Sequence, residues 1–515
     1  MAELAVGPHE GTPHLRRDVT VWGSFTWGYA DVGADVYVAL GLVVAAAQGF
    51  APLAFAAAGV VYVFIGLAYT ELAATYPVAG GGQYFALRGL GDFWGLVAGA
   101  ALLLDYTIDI ALFAYASAGY LNFFFPAIRE FSVTLGPLHG INPIWGLESL
   151  LIIVLLMFLN IKGIRESSLF NSIIGAIDMA IETSILVLGF IFAWDPHLLV
   201  RQWTTQAPSF DRFLYAASLA IISYVGLESV SQAAQETKRP ATVIPRTSIA
   251  LIFTVLMFAL AFPTVSLGIL PWQEIAERAG DPVARLASSL PFVGFLAGPV
   301  AAILAATIIL ISANTGVMGA SRLTYSMSEL GLIGPWFRAV SAKFHTPVRT
   351  IVVFSGVAAV EAIFAILSGR ALDTLANMYA FGAALAYLIS FVSLVVLRFR
   401  DPYSPRPYRV PGNIRWRGVD VPIVGFVGVL SIALMLATVV FTHPLGRILG
   451  PTWVLLAILY YWWYRWHAGK PLLGSLPRDW ERAQMRILEE AEEFELLEEY
   501  RVALAYRDRE RTKHR

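Results

Sequence analysis

The amino-acid sequence predicts an all-α polytopic membrane protein of about twelve transmembrane helices, arranged as a five-plus-five inverted repeat with broken helices 1 and 6. Three observations carry this expectation. Of 515 residues, 57% are hydrophobic and only 14% charged, where a soluble domain carries roughly 25% charged residues. Apolar runs of the ~20 residues that a bilayer crossing needs recur along most of the chain. Two of those runs, the first and the sixth, are interrupted by a glycine and an acid at corresponding places. The composition excludes a soluble enzyme, a disordered chain and a small secreted domain.

Reading the apolar runs against their Gly, Pro and charge interruptions puts spans at 19–47, 53–76, 93–125, 146–162, 168–194, 212–236, 247–270, 293–328, 349–368, 372–398, 421–442 and 448–466. A stretch at 272–290, with Trp272, Glu274, Glu277 and Arg278, reads as a short amphipathic helix between the seventh and eighth spans. The expected division is an N-terminal segment (1–18), a ten-helix inverted-repeat core (19–398), a loop with helices 11 and 12 (399–470) and an acidic helical tail (471–515). No cleavable signal peptide precedes the first span, so that helix is expected to stay as an anchor.

An even number of spans leaves both termini on one side. Even-numbered loops carry Arg88; Lys162 and Arg165; Lys238, Arg239 and Arg246; Arg338, Lys343 and Arg349; and a run from Arg398 to Arg417. Odd-numbered loops hold fewer: Arg129, Arg201, Arg278, Arg285, Arg370 and Arg447. This bias predicts cytoplasmic N- and C-termini and, for a bacterial protein, the inner membrane. A net charge of −1 leaves no basic stripe for a nucleic acid, and the absence of cysteine excludes disulfides and thiolate chemistry. The partners expected are the lipid bilayer and a small molecule. Beyond Leu476 the composition flips. Met485 to Tyr506 is rich in Glu with Leu and Ile at helical spacing, which predicts a solvated amphipathic helix packing on the membrane domain, with regulation or oligomerisation as its other reading.

Charge inside the membrane is the informative feature. Asp31 and Asp35 lie in the first span, Asp105 and Asp109 in the third, Asp178 and Glu182 in the fifth and Glu228 in the sixth, with no Lys or Arg at comparable depth. Each ionised carboxylate costs roughly 2.5–3.5 kcal/mol at mid-membrane. Such groups must hold protons, line water or meet a cation from outside, and all three point to a pathway for cations or protons. Asp178 and Glu182 stand four apart, on one helix face. Glu228 and Asp105 also have structural readings, as partners for amides freed at a helix break or for a neighbouring hydroxyl.

The first break reads Tyr29-Ala30-Asp31-Val32-Gly33-Ala34-Asp35 and the second Ser223-Tyr224-Val225-Gly226-Leu227-Glu228. At such breaks backbone groups face a cavity rather than lipid. A half-helix N-terminus attracts anions and the C-terminal carbonyls of the other half attract cations, a geometry suited to a zwitterion.

Over residues 20–415 the chain resembles the amino acid–polyamine–organocation transporter superfamily. Glu71 followed by Tyr76-Pro77-Val78-Ala79-Gly80-Gly81-Gly82-Gln83-Tyr84 is similar to its signature after the second span. Tyr224 to Glu228, then Glu236-Thr237-Lys238-Arg239-Pro240 and Ile244-Pro245-Arg246, resemble its sixth span and following loop. Gly319-Ala320-Ser321-Arg322 with Thr346-Pro347-Val348, and Arg406-Pro407-Tyr408-Arg409-Val410-Pro411, resemble segments after its eighth and tenth. The resemblance implies alternating access, with a pocket between spans 1, 3, 6, 8 and 10. It places Gly33, Ala34 and Asp35 at the first break, Tyr224, Val225 and Gly226 at the second, and Ser312, Asn314 and Thr315 on the polar face of the eighth span. Proton-coupled relatives carry a lysine in the fifth span that stands in for a sodium ion; here that position is Asp178, which can bind a proton or Na⁺ directly. Asp35 would repel a substrate carboxylate unless protonated or turned away, and Asp31 suits an ammonium group or a transported monovalent cation.

The function expected is therefore proton- or sodium-coupled symport of an amino acid or related amine. Asp31, Asp109 and Tyr379 join the two breaks as substrate-binding residues; Asp178, Ser312, Asn314 and Thr315 couple the ion; Glu228 and Asp105 gate or brace the site. The rival is potassium–proton symport, hinted at by Asp31, the triple glycine 80–82, Asp105-Tyr106-Thr107 and Tyr379. A third reading is a membrane sensor that signals through its tail. No nucleophile motif, phosphate cradle or metal-ligand spacing appears, His443 and His467 included, so no enzyme, cofactor or resident metal is expected.

Overall fold

The computed structural model describes residues 19–513 apart from 79, 136–137, 164–167, 233, 235–236, 417–418 and 473. The segment 1–18, Ala79, Arg165, Glu236 and Arg417 therefore lie outside the described residues. The first span is α1 (Val21–Val32) and α2 (Asp35–Ala47), followed by α3 (Ala51–Thr75). Next come α4 (Gly82–Leu90), which the apolar pattern did not predict, and the long α5 (Asp92–Leu121). A short α6 (Pro126–Glu130) and an antiparallel hairpin of β1 (Val133–Leu135) with β2 (Leu138–Ile141) lead to α7 (Pro143–Lys162) and α8 (Ser168–Phe192).

The second half opens with α9 (Pro196–Thr205), α10 (Phe210–Leu219), a 3₁₀ turn over Ala220–Tyr224 and α11 (Glu228–Gln232), then α12 (Pro240–Ile269). The amphipathic stretch at 272–290 is two short helices, α13 (Trp272–Glu277) and α14 (Pro282–Ser288). The helices α15 (Gly294–Glu329), α16 (Val348–Leu367) and α17 (Ala371–Arg400) complete the ten expected core spans. A second hairpin, β3 (Asn413–Trp416) on β4 (Val419–Pro422), precedes α18 (Ile423–Thr442) and α19 (Gly446–His467), and the tail is α20 (Trp480–Glu490) and α21 (Phe494–Lys513).

Ten helical segments among the described residues are long and apolar enough to cross a membrane. The first, Val21–Thr75, has 55 residues, far more than one crossing of a ~30 Å hydrocarbon core needs. It turns at Gln48, whose φ of 53° no regular helix holds. The Trp- and Tyr-rich α19, flanked by Arg447 and Arg465, falls outside those ten.

At the centre stands α5, whose apolar window is 100% buried in protein. A helix apolar on every side belongs inside, and α5 accordingly packs against α15, α17, α7, α16 and α4. Along the other side of the bundle α12 packs on α3.

One end of the bundle is tied by buried ion pairs. Glu71 at the end of α3 accepts from Arg398 at 2.6 Å and from the Val410 amide at 2.8 Å, with Arg406 3.4 Å away. Two of the family-like motifs, the acid after the second span and the loop after the tenth, thus hold each other. Arg88 pairs with Asp401 at 2.7 Å. Burial works to raise the Asp401 pKa, but Arg88 and hydrogen bonds from Ser404 and Tyr76 outweigh it and hold the group below the ordinary carboxylate value. Removing one partner of a buried pair strands the other, so Glu71→Ala is expected to destabilise the fold by about 3 kcal/mol or more. Thermal unfolding in detergent checks this: the melting temperature falls, and Arg398→Met in the same chain restores part of it.

Candidate functional site

The second break is a full unwinding. After the 3₁₀ turn, Val225 is extended (φ −85°, ψ 155°) and Gly226 takes φ +111° before α11 begins. Only glycine suits that conformation readily. Only glycine fits the space as well, because a Cβ there would sit 2.9 Å from Val32 Cγ2 and 3.1 Å from Asp31 Oδ2. The two interrupted segments therefore meet at Gly226 and Asp31.

The first break is milder than the sequence predicts. Gly33 (φ −65°, ψ −34°) and Ala34 (φ −61°, ψ −24°) both keep right-handed helical dihedrals. What changes is the hydrogen bonding. Tyr37 N–H bonds the Ala34 carbonyl at 3.2 Å, three residues back, and the Asp31 carbonyl accepts from Ser312 Oγ of α15 at 3.5 Å. Helix 1 is interrupted at Gly33–Ala34, between α1 and α2, by a loosened turn rather than an unwound stretch. Nothing in Gly33-Ala34 forces the chain out of the helical region, and the glycine instead makes room for the Tyr29 ring, whose Cε2 would lie 2.9 Å from an added Cβ.

Around this meeting point the carboxyl groups gather. Asp31 Oδ1 accepts from Ser312 Oγ at 3.3 Å and from Thr315 Oγ1, one turn along α15. Asp35, 1% exposed, has neither oxygen hydrogen-bonded. Glu228 Oε2 accepts from Tyr387 of α17 at 2.9 Å and from the Gly226 amide at 3.3 Å, so it serves a backbone N–H freed by the break. Asp105 on α5 keeps its Oδ1 without a hydrogen-bond partner. Asp109, one turn beyond, accepts from Tyr379 at 3.3 Å. None of these acids pairs with an Arg or Lys among the described residues.

Other expected site residues point elsewhere. Asn314 does not share the face of Ser312 and Thr315; its Oδ1 accepts from Asn160 of α7 at 2.6 Å. Tyr224 turns its hydroxyl to the Phe55 carbonyl at 2.8 Å and stacks on Tyr62, leaving only its backbone at the break. Asp178 accepts from Tyr37 at 2.6 Å, while Glu182 accepts from Tyr29. The two acids of α8 thus grip tyrosines from both sides of the first break, and each keeps one oxygen without a partner.

Sequence reasoning missed three of these donors or acids. Tyr37 and Tyr387 carried no signal, since tyrosines are common in such helices. Glu361 of α16 did: it is a lone acid in an apolar span, 9% exposed, and accepts from Thr107 at 3.1 Å.

A bundle of membrane-length helices whose broken segments cross among buried acids defines a polytopic membrane transporter rather than an enzyme. The amino acid permease family model matches residues 22–463, and the chain belongs to that family. It is 25% identical over 466 residues to the branched-chain amino acid permease BcaP of Bacillus subtilis, covering 88% of this chain and 94% of that one. Similarity extends to the methylthioribose transporter of the same organism (26%; 74% of this chain, 80% of that one) and to human cationic amino acid transporter 4 (29%; 73% and 59%).

The close contact at Gly226 makes a direct prediction. Gly226→Ala is expected to add about 1–3 kcal/mol of local strain and to weaken cargo binding by about tenfold or more. Gly356→Ala, where an added Cβ meets nothing within 4 Å, leaves binding unchanged. Binding to purified, monodisperse protein measures both.

Proposed function

We propose that this chain is a secondary transporter of an amino acid or related amine, working by alternating access in the cytoplasmic membrane with both termini inside. Residues 19–398 form the transport core, 399–470 add the loop and the last two helices, and 471–515 are the cytoplasmic tail. The observation that carries the reading is the contact between Gly226 and Asp31, with Asp35, Asp105, Asp109 and Glu228 around it and no base among them. A cargo with a positive group meets its countercharge there. The Val225 carbonyl of the unwound stretch serves its other polar atoms, since the Gly33 N–H is bonded to the Tyr29 carbonyl and the Gly226 carbonyl to Ser229. The names of the relatives, which include permeases for branched-chain and cationic amino acids, favour the same cargo class.

Coupling is assigned to Asp178, with a proton or Na⁺ as its ion. Its free Oδ2 is open to a proton, and its bond to Tyr37 links that event to the helix that carries the first break. Ser312 and Thr315 act with Asp31 rather than with Asp178. Potassium–proton symport is the second reading, favoured by the crowding of carboxyl oxygens and by Tyr379 on Asp109.

Two substitutions test these roles in proteoliposomes supplied with labelled amino acids, polyamines and rubidium under imposed proton or Na⁺ gradients. Asp178→Asn is expected to abolish gradient-driven accumulation while exchange at equal concentrations continues; an unchanged pH or Na⁺ dependence refutes the coupling role. Asp31→Asn is expected to raise the half-saturating cargo concentration by about tenfold, near 1.4 kcal/mol. An unaltered value removes Asp31 from the site, and uptake of rubidium alone decides for potassium.

A further inference from the structure

The family match ends at residue 463, yet the chain beyond it is built into the membrane domain by buried side chains. The helices α20 and α21 form a hairpin that turns at Glu492 (φ 57°) and carries its own small core of Leu488, Leu497 and Tyr500. Three tail side chains, Gln484 and Glu493 of this hairpin and Arg478 just before it, reach different helices. Gln484, 0% exposed, accepts from Arg88 of α4 at 2.9 Å and donates to the Thr75 carbonyl at the end of α3 at 2.9 Å. Arg478 bonds Asp92 at the start of α5 and donates to the Leu330 carbonyl, just past α15, at 2.7 Å. Glu493, 6% exposed, accepts from the Ala241 amide at 3.1 Å and so satisfies a free N–H in the first turn of α12.

These contacts are distributed in a telling way. The helix α3 packs along α12, and α5 packs along α15, so the bundle contains two tightly paired units. Gln484 and Glu493 hold the first unit; Arg478 holds the second. Between the units lie α4 and α11, which are in close contact: a Cβ on Gly81 (φ +46°), at the head of α4, would come 2.5 Å from Ser231 Oγ of α11. The chain leaving the second break runs through α11 straight to Ala241. Opening the acid site toward the tail's face requires these two units to part, and the hairpin bridges the gap between them.

We propose that residues 475–513 are a latch that clamps the α3–α12 pair to the α5–α15 pair, and that the tail must let go of the α3–α12 pair before the site opens on that side. This rests on the alternating-access reading above. It differs from a merely solvated helix, which would touch the domain through its apolar stripe and not through polar side chains that reach α3, α4, α5, α12 and the end of α15. Such a device lets the cytoplasm set the turnover of the transporter by binding or releasing the hairpin.

The chain has no cysteine, so introduced pairs report cleanly. Ala241→Cys with Glu493→Cys, joined by a short reducible bis-methanethiosulfonate linker in full-length protein in proteoliposomes, is expected to lower turnover at least about fivefold, with recovery on reduction. Transport by the linked chain at the unlinked rate overturns the latch while leaving the transport reading intact. A second arm needs no cargo. Ser231→Cys is expected to react with a maleimide at least about fivefold faster when Arg478→Ala and Gln484→Ala release the tail. An equal rate in the two backgrounds, with both proteins monodisperse, also overturns the proposal, whether or not a cargo has been found.

Discussion

A carboxyl group placed in the interior of a bilayer loses its water, and an ionised one costs several kcal/mol unless something replaces that water. Eight acids, counting Glu361, accept this position in the spans of this chain, and the surrounding structure follows from how each is accommodated. Hydroxyl donors serve most of them: Thr315 and Ser312 on Asp31, Tyr387 on Glu228, Tyr379 on Asp109, Tyr37 on Asp178, Tyr29 on Glu182 and Thr107 on Glu361. A hydroxyl can donate to a charged carboxylate and can equally accept from a protonated one. The lining therefore tolerates either state, which a lining of arginines would not.

The contrast with the bundle's end sharpens the point. There the acids Glu71 and Asp92 are buried and Asp401 is half-buried, but each is held by arginine, in pairs of 2.6–2.7 Å. Fixed guanidinium partners lock charge in place and brace the helices. The same chain thus uses carboxyls in two ways, braced by arginines near one end and served by hydroxyl and amide donors without a base around the two interrupted segments.

Much of this was legible in the sequence, for identifiable reasons. Apolar runs of membrane length force helices, and an acid inside one announces itself. The second break was readable because Gly226 stands beside Glu228 in a run that otherwise has no reason for either. The first interruption, between α1 and α2, is milder, since Gly33-Ala34 is compatible with helical dihedrals. Asn314 bonds Asn160 of α7, a contact 154 positions away that no local pattern announces. The tyrosine partners were out of reach altogether. Tyr29 and Glu182 are 153 positions apart, and only the packing of α1 on α8 brings them together. In the tail the continuous amphipathic pattern concealed a hairpin, whose turn depends on the single left-handed residue Glu492.

The account stands on the idea that carboxyls without bases select the positive end of the cargo. Calorimetric titration of the purified chain with an amino acid, its decarboxylated amine and its deaminated acid tests this most directly. The account predicts heat from the amino acid and the amine and none from the acid. Binding of the deaminated acid with the amine silent would contradict it.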